Sequence, residues 1–223
     1  MAPKNLARTA GLTYLILILT GIFGIIYVPS ELVVWDNPAT TAANIQASEF
    51  LFRLGVVSEI ICFIAFIALP LLLYALLNAV NKSMAVLMVI FALVSIPITF
   101  INIINKIDIL LLLSGAEYLD YFPQEHLHAQ VMYLLASFNN GTMVSNIFWG
   151  AWLFPLGYLV IKSNFLPKVL GVFLIVGCFG YIAEFVARFL FSMAEIPWYV
   201  GLPSIIGEFG ICLWLLIFGV RDK

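Results

Sequence analysis

The 223 residues are 64% hydrophobic and only 10% charged, with a formal net charge of −2. A soluble domain is nearer half apolar and a quarter charged, so water is not the solvent for most of this surface and membrane lipids are. No basic stripe or arm is present to track phosphates, which excludes nucleic acid as a partner.

A spanning helix needs roughly 20 apolar residues, at about 1.5 Å rise each, to cross a hydrocarbon core of about 30 Å. Six such runs and their short loops use nearly the whole length. The reading is an all-α, six-transmembrane-helix bundle forming one domain over residues 1–223, a multi-pass protein of the inner cell membrane. Continuous apolarity, without the alternation of a barrel strand, makes the runs helices.

The first run is Thr9–Val28, preceded by Lys4 and Arg8. It is longer than a signal-peptide core and is followed by Pro29-Ser30-Glu31 instead of a small-residue cleavage site, so it is read as a retained helix. Asp36-Asn37-Pro38 punctuates the approach to the second run, Phe50–Leu77. That run carries Arg53, Glu59, Cys62 and Pro70. After Asn78 to Ser83 comes the third, Met84–Ser114, with Pro97 and a polar stripe of Ser95, Thr99, Asn102, Asn105 and Lys106 on one face, followed by Asp108. The fourth, Val131–Ile161, carries Asn139, Thr142 and Asn146 on one face; Asn139-Asn140-Gly141 is expected to loosen it, and Pro155, like Pro70 and Pro97 in the second and third, to kink its helix. The fifth, Leu166–Phe191, places Gly177, Gly180, Glu184, Ala187 and Arg188 on a single face, where glycines admit a neighbouring helix. Glu184 and Arg188, at i and i+4, are placed to pair. The sixth, Leu202–Val220, contains Glu208.

Lysine and arginine placement orients the bundle. With the N-terminus inside, Lys4, Arg8, Lys82, Lys162, Lys168, Arg221 and Lys223 are cytoplasmic. Glu31, Asp36, Glu49, Glu117, Asp120, Glu125 and Glu195 then fall outside. Both termini are therefore read as cytoplasmic.

Charges inside a membrane cost a few kcal/mol each by insertion scales and mark functional positions by default. Glu59, Lys106, Asp108, Glu184, Arg188 and Glu208 come from four runs and, in this orientation, all belong to outer halves. Arg53, near a helix end, can also snorkel to headgroups. The candidate ligand-binding set is Arg53, Glu59, Asn102, Asn105, Lys106, Asn146, Glu184, Arg188 and Glu208, with the three acids expected to approach one another. Purely structural ion pairs and asparagine networks that lock helices together remain the other reading.

Other chemistry finds little purchase. Cys62, Cys178 and Cys212 lie in apolar runs and read as small buried hydrophobes. His126 and His128, at i and i+2, point to different sides of a helix and read as interfacial histidines, not metal ligands. Asn140-Gly141-Thr142 matches a glycosylation sequon inside a span. No nucleophile with a paired histidine can be drawn, and no cofactor is implied. Trp35 and Trp198 are expected at the outer interface.

Some segments carry a family likeness. They are Ala10-Gly11-Leu12-Thr13-Tyr14-Leu15, Thr41-Ala42-Ala43-Asn44-Ile45 running to Phe52-Arg53-Leu54-Gly55, and Leu73-Tyr74-Ala75-Leu76-Leu77 to Val80-Asn81-Lys82. Further on come Leu110 to Gly115, Pro155-Leu156-Gly157-Tyr158-Leu159 to Phe165-Leu166-Pro167-Lys168-Val169-Leu170-Gly171, Gly207-Glu208, and Leu213-Trp214-Leu215-Leu216. Together they resemble the bacterial membrane proteins grouped as domain of unknown function 4386. The resemblance implies a six-helix inner-membrane fold with no assigned activity and no catalytic residues to carry over. It favours Arg53 and Glu208, which lie in the similar segments, and implies that an acidic residue is common at Glu184.

The expected function is binding or transport of a small molecule, ion or lipid in a polar outer-half cavity. An intramembrane lipid-modifying enzyme using Glu59, Glu184 or Glu208, and a structural or regulatory subunit without a ligand, are the alternatives. The oligomeric state is left open.

Overall fold

A computed structural model of the protein describes residues 3–191 and 196–220; Glu195, Arg221 and Lys223, used above for orientation, lie outside the described residues. Among the described residues the chain is helical and contains no strand. The helices are α1 (Pro3–Gly21), α2 (Val28–Leu32), α3 (Pro38–Ala47), α4 (Glu49–Leu77), α5 (Lys82–Leu112), α6 (Gln124–Ala151), α7 (Leu153–Lys162), α8 (Lys168–Phe191) and α9 (Leu202–Ile217). Five uninterrupted or nearly uninterrupted stretches are long and apolar enough to cross a membrane: Lys4–Leu32, Glu49–Leu77, Lys82–Leu112, Gln124–Lys162 and Lys168–Phe191. The chain is thus a multi-pass membrane protein by length and composition, and α9, at 16 residues, is a shorter apolar helix.

Local chemistry explains most departures from the expected boundaries. The first helix does not end at Val28. A π-helical turn, Ile22–Tyr27, joins α1 to α2, with the Val28 N–H reaching back to the Phe23 carbonyl. Pro29 sits just beyond, and a widened turn relieves the clash its ring would make with the preceding turn of an α-helix. The segment expected to be loop between the first two runs contains α3. Asn37 caps it, its side-chain oxygen accepting from the Thr40 N–H at 3.0 Å, and Pro38 occupies the first turn, the favoured pair at a helix start.

Helices α4 and α5 continue through Pro70 and Pro97. The fourth run instead divides at Trp152, just before Pro155, where the proline's missing N–H and ring fall. The helix is unbroken across Asn139-Asn140-Gly141, contrary to the loosening expected there.

The described chain forms two compact units. One comprises Met1–Ile16, Ile64–Ile96 and Met143–Lys223; the other comprises Leu17–Phe63 and Pro97–Thr142. The first is built on close helix approaches. A β-carbon on Gly157 would lie 2.6 Å from the Gly171 carbonyl oxygen, and one on Gly171 the same distance from that of Gly157. The turn between α7 and α8 is tight enough to put Asn164 at φ 58°, a conformation asparagine tolerates better than most. Ser163 braces it by accepting from the Leu166 N–H and donating to the Val160 carbonyl. Helix α9 seats its buried face of Ser204, Gly207, Ile211, Cys212 and Leu215 in the same unit. There Gly11 meets Leu216, and Gly177 meets Ser204, each so closely that a β-carbon would fall 2.7 Å from backbone. Trp152, almost fully buried, packs edge-on against Phe66 and beside Tyr14.

In the second unit Gly24 and Val28 press on Gly55 of α4. The Ser58 hydroxyl donates to the Thr20 carbonyl at 3.0 Å, tying α4 to the end of α1.

Candidate functional site

Helix α4 buries Phe52, Gly55, Val56, Glu59, Cys62 and Phe63 in the second unit, a spacing of three and four residues that makes one inward face. Helix α5 does the same with Thr99, Asn102, Ile103, Lys106 and Ile109. An acid and a base on these two faces meet. Glu59 is 0% exposed, Lys106 is 3% exposed, and the Lys106 ammonium donates to Glu59 Oε1. The same ammonium stands 4.1 Å from the centre of the Phe138 ring, a cation–π contact strengthened by desolvation. Gly24, in the π-helical turn, lies against the acid: a β-carbon there would be 2.8 Å from Glu59 Cγ. The other carboxylate oxygen, Oε2, is buried with no hydrogen-bond partner among the described residues.

An asparagine ladder continues the polar face. Asn102 donates to the Phe138 carbonyl at 2.8 Å and to the Thr142 hydroxyl at 3.3 Å; Thr142 in turn donates to that carbonyl at 2.9 Å. Asn105 donates to the Asn102 backbone carbonyl at 3.0 Å and to its side-chain oxygen at 3.1 Å. Gly141 is the residue that lets Asn102 lie flat on α6, since a β-carbon there would fall 2.2 Å from Asn102 Oδ1. The ladder fixes α5 against α6 and so fixes Lys106 over Phe138.

Within the same unit a cavity of about 320 Å³ is lined by Gln46, Leu112, Leu113, Gly115, Leu119, Asp120, Phe122, Pro123, Gln124, Leu127 and His128. Leu112 and Leu113 lie less than two turns beyond Lys106, about 10 Å by helical rise. His126, by contrast, is exposed, and no group of three or more metal-ligating side chains occurs among the described residues.

The remaining expected residues make other contacts. Arg53 pairs with Glu49 at 2.6 Å, both more than half exposed. Glu184, Arg188, Glu208 and the half-buried Asn146 belong to the first unit. There Glu208 Oε2 accepts from the Tyr14 hydroxyl at 2.9 Å, and Arg188 Nε donates to Glu184 Oε1 at 3.0 Å. Tyr181 is hydrogen-bonded to Ser204 and lies within electrostatic reach of both Glu208 and Glu184. Gly150 makes room for it, a β-carbon there falling 2.5 Å from Tyr181 Cβ. A cavity of about 160 Å³ opens beside this group, between α8 and the start of α9.

Tyr14, Phe138 and Tyr181 were not marked by the sequence as site residues. An aromatic in an apolar run reads as core, and only the i, i+3 relation of Tyr181 to Glu184 hinted otherwise.

Comparison with known proteins is consistent with this picture and adds no activity. A stretch of 73 residues, 33% of this chain, is 40% identical to an uncharacterized protein of Archaeoglobus fulgidus. The match spans 43% of that relative's length. No solved structure matches the chain. The model of a domain of unknown function, DUF4386, matches residues 9–219, and the chain belongs to that family.

Proposed function

We propose that the chain is a six-span protein of the inner cell membrane, with both ends in the cytoplasm, that binds a small hydrogen-bond-donating solute at the Glu59–Lys106 centre. A short organic ammonium ion is the class that fits best. The sixth span is α9: its 16 residues give about 24 Å of helix, and the turn Trp198–Val200 precedes it. The orientation draws support from exposure. Lys4, Arg8, Lys82, Lys162 and Lys168 are all exposed, as are Glu31, Asp36, Glu117, Asp120 and Glu125, and Glu49 in its exposed pair with Arg53, so none of these charges is buried.

One observation carries the binding reading, namely the buried, unpartnered Oε2 of Glu59. A buried acceptor without a donor costs about 1–3 kcal/mol, and a guest bearing N–H groups recovers it while Lys106 keeps the other oxygen. In the proposed orientation the cavity holding Gln46, Asp120, Gln124 and His128 is the outer mouth. Asp120 in its wall favours cations there.

The test is thermal unfolding of the purified full-length protein in detergent with methylammonium, ethanolamine, choline, sodium or potassium. A short ammonium ion should raise Tm for the native sequence and leave Glu59→Gln unmoved. An equal response in both, no response to any cation, or a response to acetate and phosphate instead, refutes the reading.

A further inference from the structure

The smaller cavity, in the first unit, has a different character. Its walls are Tyr181 and Glu184 of α8, Val200 and Gly201 of the turn, and Ser204 of α9. Gly180 makes this arrangement possible, because a β-carbon there would meet the Val200 carbonyl at 2.7 Å. Two hydroxyls line it: Ser204, which donates to the Gly201 carbonyl at 2.8 Å, and Tyr181, bonded to Ser204. The wall residue Glu184 is 30% exposed, and Arg188, paired with it one turn along α8, is 43% exposed. The ion pair is therefore open on one side. It engages Arg188 through Nε, and the terminal guanidinium nitrogens donate to no described residue.

Depth is set by neighbours. Trp198 and Tyr199, 76% and 61% exposed, adjoin the lining residue Val200, and exposed tryptophan and tyrosine prefer the headgroup level of a bilayer. Beside the pair, Phe185 and Phe189 stack with centroids 5.5 Å apart, and Phe189, Leu190, Phe191 and Ile205 are exposed apolar surface. A cavity of about 160 Å³ is small beside the roughly 300 Å³ at which drug-sized pockets begin. It suits a headgroup whose chains stay outside.

We propose that this cavity binds the headgroup of a phospholipid of the phosphatidylethanolamine class, its ammonium on Glu184 and its phosphate on Arg188. A carboxylate and a guanidinium one helical turn apart match a zwitterion. Arginine's fork suits phosphate oxygens, while the carboxylate needs N–H donors that a choline headgroup lacks. A glycerol headgroup brings neutral hydroxyls to Glu184 and no positive charge, so it leaves that carboxylate without a counter-cation. The inference rests neither on the Glu59 centre nor on which end of the chain is cytoplasmic.

The experiment is native mass spectrometry of the delipidated full-length protein, offered equal amounts of phosphatidylethanolamine, phosphatidylglycerol and phosphatidylcholine. Phosphatidylethanolamine should be retained over phosphatidylglycerol by about tenfold, the ratio one charge-assisted hydrogen bond supports. Glu184→Gln should bring the two to parity, Glu184→Asp should restore the preference, and Arg188→Lys should keep retention that Arg188→Gln loses. Equal retention of the three lipids by the native sequence overturns the proposal, as does an unchanged preference in Glu184→Gln. Displacement of the lipid by soluble phosphoethanolamine at matching concentration overturns the assignment of a lipid as the source of the headgroup.

Discussion

Removing one partner of the Glu59–Lys106 pair should be far more damaging than removing both. Each side chain is almost wholly buried, so a single neutralisation strands the other charge, at about 3–5 kcal/mol by the record of broken buried pairs. The two single variants should differ. In Glu59→Gln the ammonium keeps its place 4.1 Å above the Phe138 ring, a contact contributing about 0.5–2 kcal/mol, and the glutamine amide still offers an acceptor. In Lys106→Met the carboxylate is left with no cation and with Oε2 still unpartnered. Lys106→Met should therefore lie at the upper end of the range and Glu59→Gln about 1–2 kcal/mol below it. The double variant should lie within about 2 kcal/mol of the native protein, since apolar replacement of a whole buried pair is often neutral. Unfolding of the four proteins by titrated denaturing detergent closes the cycle. Single effects that simply add, to within about 0.5 kcal/mol, would show that the two groups do not share one desolvated site.

Other outcomes follow from the same geometry. Gly177→Ala, whose new β-carbon would lie 2.7 Å from Ser204 backbone, should destabilise by about 1–3 kcal/mol, and Gly180→Leu should depress folded yield well below Phe185→Leu, measured by detergent-extracted monodisperse protein. Tyr14→Phe removes the donor to Glu208 Oε2 and should cost about 1–3 kcal/mol in the same unfolding assay; no loss would mean that Glu208 is satisfied without it. Thr41→Val breaks both bonds the hydroxyl makes to Val34, each 2.9 Å, and should loosen the segment between α2 and α3, read as faster amide exchange there. Single cysteines at Asp36 and Asp120 should label from one face of the membrane and cysteines at Lys82 and Lys168 from the other; Lys82 and Asp120 labelling together would contradict the proposed orientation.

The helices were legible because lipid demands long apolar runs and self-satisfied backbone, and those runs stand out against so few charges. What escaped was local. Helix α3 is short and half polar, so hydropathy passed over it, although Asn37-Pro38 carried its start signal. The π-helical turn leaves no mark in an apolar run except the proline behind it. Division at Trp152 was foreshadowed by Pro155, but the smooth course through Asn139-Asn140-Gly141 was not, since Gly141 is there to admit Asn102.

For the site, helical phase told which face of α5 is polar and put Gly177 and Gly180 on one face of α8. Phase is blind to neighbours, however. Nothing in the spacing singled out Lys106 over Arg53 as the partner of Glu59, or Tyr14 as the partner of Glu208, because those meetings depend on which helices lie side by side.

The π-helical turn has a consequence for length. It carries more chain per turn than an α-helix, and Gly24 within it and Val28 just after it both rest on Gly55 of α4. Because a π-turn holds one residue more than the α-turn it replaces, losing one residue between Gly21 and Val28 would let the segment close to ordinary α-helix with the chain beyond it still in phase. Val28 and Leu32, both buried, would keep their inward face, and the change would fall within the turn itself, where Gly24 touches Glu59. The first helix can thus lose one residue at this point without turning its far end, provided the glycine that meets Glu59 stays in place.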